Sequence, residues 1–210
     1  KLQLETIEKN AEERNRFFAN ISHDMRTPLN AVIGFSDLAE SEPDPGRKNA
    51  DIAKIRTSGQ LLNSLIDDTL TLSKANSGKF ELHTEEVSTE KVGKAIIETI
   101  RFAAEKKNIT LSVDKSGYRP RVIFADALNL QKLFLNILSN AVKYTPDSGT
   151  INFYARETLF EEGLVHLRIE IADTGIGMSE EFLQHIFEPF TQEQQTSRTT
   201  YKGTGLGMAI

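Results

Sequence analysis

The chain has 210 residues, 39% of them hydrophobic and 26% charged, and its formal net charge is −5 at pH 7. This composition predicts a globular protein with room for two small domains, and its acidic balance argues against a nucleic acid partner, since phosphate backbones select basic surfaces. There is no cysteine, which excludes disulfides and thiolate metal sites. No apolar run approaches the roughly 18 residues typical of a transmembrane helix.

Residues 1–40 carry the pattern of one long helix interrupted at Pro28. Apolar side chains recur at intervals of three and four residues from Leu4 to Met25, with Arg14 as the only break, which is typical of a coiled coil. A helix of this length would extend about 60 Å. Because a compact monomer cannot cover such a helix, the pattern predicts a partner helix.

The most informative motif of the chain lies in this helix, where Asp24 follows His23 and Pro28 comes about one turn later. A proline inside a helix removes one backbone hydrogen bond and clashes with the carbonyl four residues back, here that of Asp24. We therefore expect the helix to bend or loosen beside His23. A neutral imidazole offers a nucleophilic nitrogen near physiological pH, so His23 is a candidate nucleophile.

A second helical pattern follows the turn residues 41–46 and runs over 48–75. It has two apolar seams, which together form a wide face typical of a four-helix bundle. The first seam contains Ile52, Ile55, Gly59, Leu62 and Ile66, and the second contains Leu61, Leu65 and Leu72. Because two helices cannot enclose such a core alone, we predict a homodimer in which two helical hairpins form one bundle.

After a hinge at residues 76–78, the pattern changes to alternating strands and helices. Strands are predicted over 80–85, 109–113, 122–124, 150–156 and 164–172, and helices from a Ser88 cap to about Lys107 and from an Asp126 cap to about Tyr144. This order predicts an α/β sandwich, a mixed sheet with helices on one face. The second of these helices has a predicted apolar face of Leu130, Leu133, Phe134, Ile137, Leu138 and Ala141.

A polar stripe lies opposite that apolar face and consists of Asn129, Lys132, Asn136, Asn140 and Lys143. A solvated surface would usually mix glutamate and lysine, whereas asparagine is a mediocre helix former. Two asparagines four residues apart therefore indicate a functional face, since an amide oxygen is a suitable ligand for Mg²⁺.

Two glycine-rich turns follow. In the first, Asp173 stands at a strand end before Gly175 and Gly177, where its carboxylate could accept a hydrogen bond from an adenine amino group. The second, Gly203–Gly207, opens an apolar segment, and the unpaired amides of such a turn form an anion site. Phe187–Phe190 and a polar loop over 191–202 separate the two turns.

These motifs, in this order, resemble those of sensor histidine kinases of two-component systems. The stretch from Phe17 to Leu29 resembles their phosphoacceptor box, and Asn136–Tyr144 resembles the asparagine box of their ATP-binding domain. That domain is shared with gyrase, mismatch-repair and heat-shock chaperone ATPases. The two glycine turns and Phe187–Phe190 resemble the glycine and phenylalanine boxes of the same domain.

The resemblance implies a role for each matching residue. Asn140 would be the Mg²⁺ ligand and Asn136 would lie close to the phosphates of ATP. Lys143 would contact phosphate, Tyr144 would border the nucleotide and Asp173 would read the adenine. The remaining positions implied to bind ATP are Gly175, Gly177, Gly203, Gly205 and Gly207, together with Arg198 and Lys202 in a lid over 191–202.

The resemblance also implies the reaction, in which ATP phosphorylates His23, Asp24 orients the imidazole, and the phosphoryl group passes to an aspartate in the receiver domain of a response regulator. The spacing of Asp24 and Thr27 resembles a phosphatase signature, in which Thr27 would align a hydrolytic water. An upstream sensor domain is implied, and a cytoplasmic location, with the full-length protein anchored in the inner membrane.

The predicted domains are a signalling coiled coil over 1–15, a dimerisation and phosphotransfer hairpin over 16–78, and an ATP-binding domain over 79–210 that is incomplete at its C-terminus. Two alternatives stay open. One is an ATPase of the wider superfamily without a phosphohistidine, and the other is a dimeric signalling scaffold without turnover.

Overall fold

A computed structural model of the chain describes most of its residues. The backbone is described for residues 2–161, 164–193 and 204–210, and side chains are described for residue 15 and for residues 17–158, 164–193 and 204–210. The described residues form two compact units. The helical unit consists of two long helices near the start of the chain, together with the later segments Ile186–Gln192 and 204–210. The α/β unit contains residues 81–185 and Glu193. Among the helices described, none has both the length and the apolar character needed to cross a bilayer.

The two long helices are α1, Leu2–Ser41, and α2, Pro45–Asn76. They pack along each other as a hairpin. Helix α2 begins three residues before the predicted start because Asp44 caps it, with the Asp44 carboxylate accepting a hydrogen bond from the Arg47 amide at 2.8 Å. Proline at the first helical position has the backbone angle that a helix start requires.

Helix α1 continues through Pro28, so the predicted interruption is wrong. Proline removes only the hydrogen bond to the Asp24 carbonyl, and the turns before and after it keep their own bonds. Helix α2 also packs alongside α1 and supports the same conformation. The heptad positions Leu4 and Ile7 lie outside the described side chains, so the N-terminal coiled coil stays a prediction.

The α/β unit contains five strands and three helices among its described residues. In chain order they are β1 Glu85–Ser88, α3 Thr89–Glu105, β2 Thr110–Gly117, β3 Val122–Ala125, α4 Ala127–Tyr144, β4 Thr150–Glu161, β5 Leu164–Asp173 and α5 Glu180–Leu183. Strand β4 is central, parallel to β2 and antiparallel to β5, and β1 pairs antiparallel with β3. The mixed sheet predicted from the sequence is confirmed.

The core of this unit lies between α3, α4 and one face of the sheet. Ile151, Phe153 and Ala155 alternate along β4 and point to the same face, as the two-residue period of a strand requires. Their partners include Ile100 of α3 and Leu138 of α4. This packing puts both helices on one face of the sheet and fixes the position of α4, the helix that carries the polar stripe.

Two details differ from the sequence-based expectations. Residues 80–84 do not form a strand, although one was predicted there. Among the described residues, the only pairing in this region is that of β1 with β3, and it begins at Glu85. Leu133, placed on the apolar face of α4, is 51% exposed. The caps of α3 and α4 are confirmed, since Ser88 and Asp126 accept hydrogen bonds from the amides three residues on.

Candidate functional site

His23 presents its ring to solvent from the middle of α1, and its side chain is 78% exposed. Its Nδ1 lies 3.2 Å from Oδ1 of Asp24, within hydrogen-bond distance. A neutral imidazole that donates from Nδ1 carries its lone pair on Nε2. The pair therefore leaves Nε2 as an accessible nucleophilic atom, in the arrangement expected for an oriented nucleophile.

Thr27 lies one helical turn after His23. Its Oγ1 is 3.5 Å from the His23 carbonyl oxygen, at the outer limit of a hydrogen bond, and the residue is exposed. The hydroxyl is therefore weakly held and can turn toward a bound group. His23, Asp24 and Thr27 thus lie within about one turn of each other on α1.

The polar stripe of α4 is half-buried rather than solvated. This burial favours a functional or structural role over a simple outer face. One member has a structural role, because the Asn129 amide donates to the Asp126 carboxylate at 2.8 Å and completes the helix cap. The hydrogen bonds from Asn129 and from the His83 backbone lower the pKa of Asp126. Asn136 and Asn140 occupy the same helix face further along.

The end of α4 holds Lys143 and Tyr144 together. The ammonium of Lys143 lies 3.0 Å from the Tyr144 hydroxyl and 4.6 Å from the centroid of its ring. A cation over an aromatic face in this range is attracted by the ring quadrupole. The two side chains therefore present a positive charge beside an aromatic surface.

The first glycine turn lies against this end of α4. Oδ1 of Asp173 accepts a hydrogen bond from the Gly175 amide at 2.8 Å, and the Ile176 amide donates to the Tyr144 carbonyl at 3.3 Å. A Cβ on Gly175 would lie 2.5 Å from Oδ1 of Asp173 and 3.0 Å from that carbonyl oxygen, so a larger residue here would displace the Asp173 carboxylate. Gly177 has a φ of +70°, which favours glycine as well.

These residues fit a nucleotide and a magnesium ion by their chemistry. Asp173 is exposed and uses Oδ1 for Gly175, which leaves Oδ2 as an acceptor for an amino group. Tyr144 supplies an aromatic surface and Lys143 a cation for phosphate. Asn140 offers an amide oxygen, the donor type that Mg²⁺ accepts.

The second glycine turn belongs to the helical unit. Gly205 has a φ of +68°, and its carbonyl accepts a hydrogen bond from the Phe190 amide at 2.9 Å. A Cβ at this position would lie 2.7 Å from the Phe190 carbonyl carbon. Leu206, which is fully buried, packs with Leu65 and Leu72 of α2. This packing was not predicted from the sequence.

Part of the predicted site lies outside the described residues. Arg198, Lys202 and Gly203 belong to this part, as does most of the predicted lid. Gly207 is described and follows Leu206 in a single turn, in which the Ala209 amide donates to the Leu206 carbonyl at 3.0 Å.

Sequence reasoning missed Lys107, which follows α3. Its ammonium donates to the carbonyls of Val142, Lys143 and Thr145 at 2.9, 3.2 and 2.5 Å. The only local signal is Asn108, since asparagine often adopts the positive φ that ends a helix and here has a φ of 53°. The contact joins positions more than 30 residues apart, which no local pattern reveals.

Comparison with known proteins matches both parts of the chain to protein families. Residues 13–78 match the His Kinase A (phospho-acceptor) domain, and residues 125–210 match the histidine kinase-, DNA gyrase B- and HSP90-like ATPase family. The first match contains His23 and the second contains both the asparagine stripe and the two glycine turns.

Similar proteins include the non-motile and phage-resistance protein of Caulobacter vibrioides, 37% identical over 99% of this chain and 25% of its own length. The autoinducer 2 sensor kinase/phosphatase LuxQ of Vibrio parahaemolyticus is 34% identical over 97% of this chain and 24% of its own length. Full-length ShkA, solved in complex with AMPPNP, superposes with a TM-score of 0.63 at 29% identity, covering 92% of this chain and 39% of ShkA.

The chain thus spans about a quarter of the length of these two curated relatives. The two matched families follow each other along the chain in the order found in histidine kinases, and the fold is similar to that of ShkA. The chain therefore belongs to the sensor histidine kinases.

Proposed function

We propose that this chain is the catalytic region of a sensor histidine kinase that uses ATP to phosphorylate His23. The phosphoryl group then passes to an aspartate in the receiver domain of a response regulator, and the same region removes it from the regulator. The observation that carries the proposal is the exposed imidazole of His23, with Nδ1 held 3.2 Å from the Asp24 carboxylate. Relatives named as a sensor kinase/phosphatase support both activities.

In the proposed reaction, the Nε2 lone pair of His23 attacks the γ-phosphorus of ATP. The N–P bond forms as the bond to the β,γ-bridging oxygen breaks, and ADP leaves. Asp24 accepts the hydrogen bond from Nδ1, keeps the ring in one orientation and stabilises the positive charge that develops on it. Since phosphoryl transfer passes through a loose transition state, positioning and charge neutralisation are the main tasks of the protein.

The α/β unit would bind the adenine end of ATP through Asp173 and Tyr144, and Lys143 would contact phosphate with Asn136 nearby. Asn140 would hold Mg²⁺, which neutralises phosphate charge when bound. The two glycines of the first turn, Gly175 in its tight contact with α4 and Gly177 with its positive φ, would let the backbone approach the nucleotide.

The remaining contacts in this proposal involve the end of the chain. Gly203, Gly205 and Gly207 would shape the phosphate end, and Arg198 and Lys202 would contact phosphate from the lid. AMPPNP, the ligand of the related ShkA structure, is an ATP analogue, which supports ATP as the substrate.

Incubation with γ-labelled Mg-ATP tests the proposal directly. A phosphoramidate is stable in base and labile in acid, so we expect protein-bound label with that stability. If nucleotide binds and no label appears on the protein, the dimeric scaffold becomes the correct description. ATP hydrolysis without protein-bound label would instead indicate an ATPase that lacks a phosphohistidine.

The helical unit is proposed to form a homodimer through its hairpin. Several apolar side chains of the hairpin are exposed in the single chain, and such residues favour a partner surface. They include Leu29, Ile33, Leu38, Leu61 and Leu70, each at least 45% exposed. The second copy would complete a four-helix bundle around them. We also propose that the reaction takes place in the cytoplasm, where ATP is available, and that the full-length protein carries an upstream sensor domain and an inner-membrane anchor.

Replacing Thr27 with alanine is expected to separate the two activities. The Thr27 hydroxyl bonds to the backbone carbonyl of His23 rather than to a ring nitrogen, so autophosphorylation should stay within about twofold of the unmodified chain. Dephosphorylation of the regulator should fall about tenfold or more, because the hydrolytic water loses its partner. Both rates are measured with a labelled response regulator. Thr57→Ala is the matched control, since its hydroxyl makes the same kind of bond to the Ala53 carbonyl in α2. Equal loss of both activities would refute this role.

Replacing Pro28 with alanine is expected to stiffen α1 near His23. Alanine restores the hydrogen bond to the Asp24 carbonyl and favours helix by about 3 kcal/mol over proline at an interior position. We expect the ratio of autophosphorylation to regulator dephosphorylation to change severalfold, as measured on the same preparation. A variant with an unchanged ratio would show that the proline plays no part in balancing the activities.

A further inference from the structure

Lys107 is fixed in the backbone between α3 and the turn that precedes β4. Its amide donates to the Ala104 carbonyl at 3.0 Å, and its own carbonyl accepts from the Ser148 amide at 3.0 Å. The next residue, Asn108, has a φ of 53°. Because both backbone groups of Lys107 are bonded, its side chain leaves the main chain from a defined position.

The ammonium of Lys107 sits at the C-terminal end of α4. Its three hydrogen bonds reach the carbonyls of Val142, Lys143 and Thr145. Carbonyls at a helix end have no partner within the helix and carry its negative partial charge. A single cation with three donors therefore satisfies three of them at once and favours this helix end electrostatically.

The carbonyl of Tyr144 lies between two of those that Lys107 holds. It points instead to the first glycine turn, where it accepts from the Ile176 amide at 3.3 Å. The same turn carries Asp173, whose Oδ1 accepts from the Gly175 amide. The contacts thus form a continuous chain from Lys107 through the Tyr144 peptide to the carboxylate proposed to read adenine.

We propose that Lys107 is a positioning residue of the nucleotide site, which holds the end of α4 so that Tyr144 and Asp173 keep their relative placement. This inference rests on the proposed ATP site. The hydrogen bonds from the Lys107 ammonium go to backbone carbonyls at the end of α4, so its proposed effect on nucleotide passes through that backbone.

Lys107→Met tests the inference, because methionine keeps the length and apolar stem of lysine and removes the charge and the three donors. Lys106→Met is the matched control, since Lys106 is the exposed neighbour whose ammonium lies 4.3 Å from the Phe102 ring centroid. Lys107→Arg keeps the charge and donors. Mg-ATP affinity is measured by calorimetry, and amide hydrogen exchange is measured on the same proteins.

We expect the affinity of Lys107→Met for ATP to fall about tenfold, the size expected for hydrogen bonds from a charged group. Exchange should rise at Ile176, whereas exchange in the core strand β4 should match that of Lys106→Met. Lys107→Arg should bind ATP more tightly than Lys107→Met. This pattern separates local positioning from a general loss of stability, which would raise exchange in the core as well.

Two results would overturn the inference. One is an ATP affinity for Lys107→Met equal to that of Lys106→Met. The other is a loss of affinity accompanied by equally raised exchange throughout β4, which would assign Lys107 a purely structural role. Failure of the unmodified chain to bind Mg-ATP would be a separate result, because it would reject the proposed ATP site itself.

Discussion

Replacing His23 with glutamine is expected to abolish phosphorylation of the chain. Glutamine is polar and helix-compatible, so α1 persists, but the side chain offers no nucleophilic nitrogen to the γ-phosphorus. The initial rate of label transfer from γ-labelled Mg-ATP should fall by about 10³-fold or more, since no neighbouring group replaces a lost nucleophile. The affinity for Mg-ATP, measured by calorimetry, should stay unchanged.

His166→Gln provides the matched control for this experiment. His166 is an exposed histidine on β5 whose side chain has no proposed role, so the variant should accept label as the unmodified chain does. Label that persists in His23→Gln with the acid lability of a phosphoramidate would place the phosphoacceptor on another histidine and contradict the proposed mechanism.

Replacing Asp173 with asparagine is expected to have the second-largest effect. The substitution keeps the volume and the acceptor for the Gly175 amide, but it puts an NH₂ donor where the proposed adenine amino group also donates. The site loses a charged hydrogen bond and gains two facing donors, so ATP affinity should fall about 100-fold. Phosphorylation of His23 at low ATP concentration should fall in parallel.

Asp147→Asn is the control for Asp173→Asn. Asp147 is exposed in the turn before β4, and its substitution removes the same charge from the same unit. Calorimetric titration with Mg-ATP should give the unmodified affinity for this control. An Asp173→Asn variant that binds as tightly as the control would show that another residue reads the base.

The features that the sequence predicted best are those determined by neighbours in the chain. Asp126 and Ser88 could be recognised as helix caps because a cap is a contact between a short polar side chain and an amide three residues away. The alternation of Ile151, Phe153 and Ala155 likewise reports burial on one face of a strand. The contact between His23 and Asp24 could be expected for the same reason, since the two residues are adjacent, whereas the phosphoacceptor role of His23 stays a prediction.

The errors arose where distant parts of the chain decide the outcome. The alternation around Phe80 and Leu82 suggested a strand, but a strand needs a pairing partner, and β3 pairs only with residues from Glu85 onward. The contact of Lys107 with the end of α4 and the burial of Leu206 on α2 are likewise tertiary. Periodicity within one segment carries no information about such contacts.

The pairing of β2 with β4 has a consequence for folding. Thr110 pairs with Thr150 across a connection that contains β3 and the whole of α4. Parallel pairing of this kind must close a long loop before any ladder bond forms, and such topologies fold slowly. The α1–α2 hairpin needs only a short turn and can form first during synthesis. Until the sheet closes, α4 lacks the sheet face that completes its core, so the face proposed to bind nucleotide is among the last parts of the chain to mature.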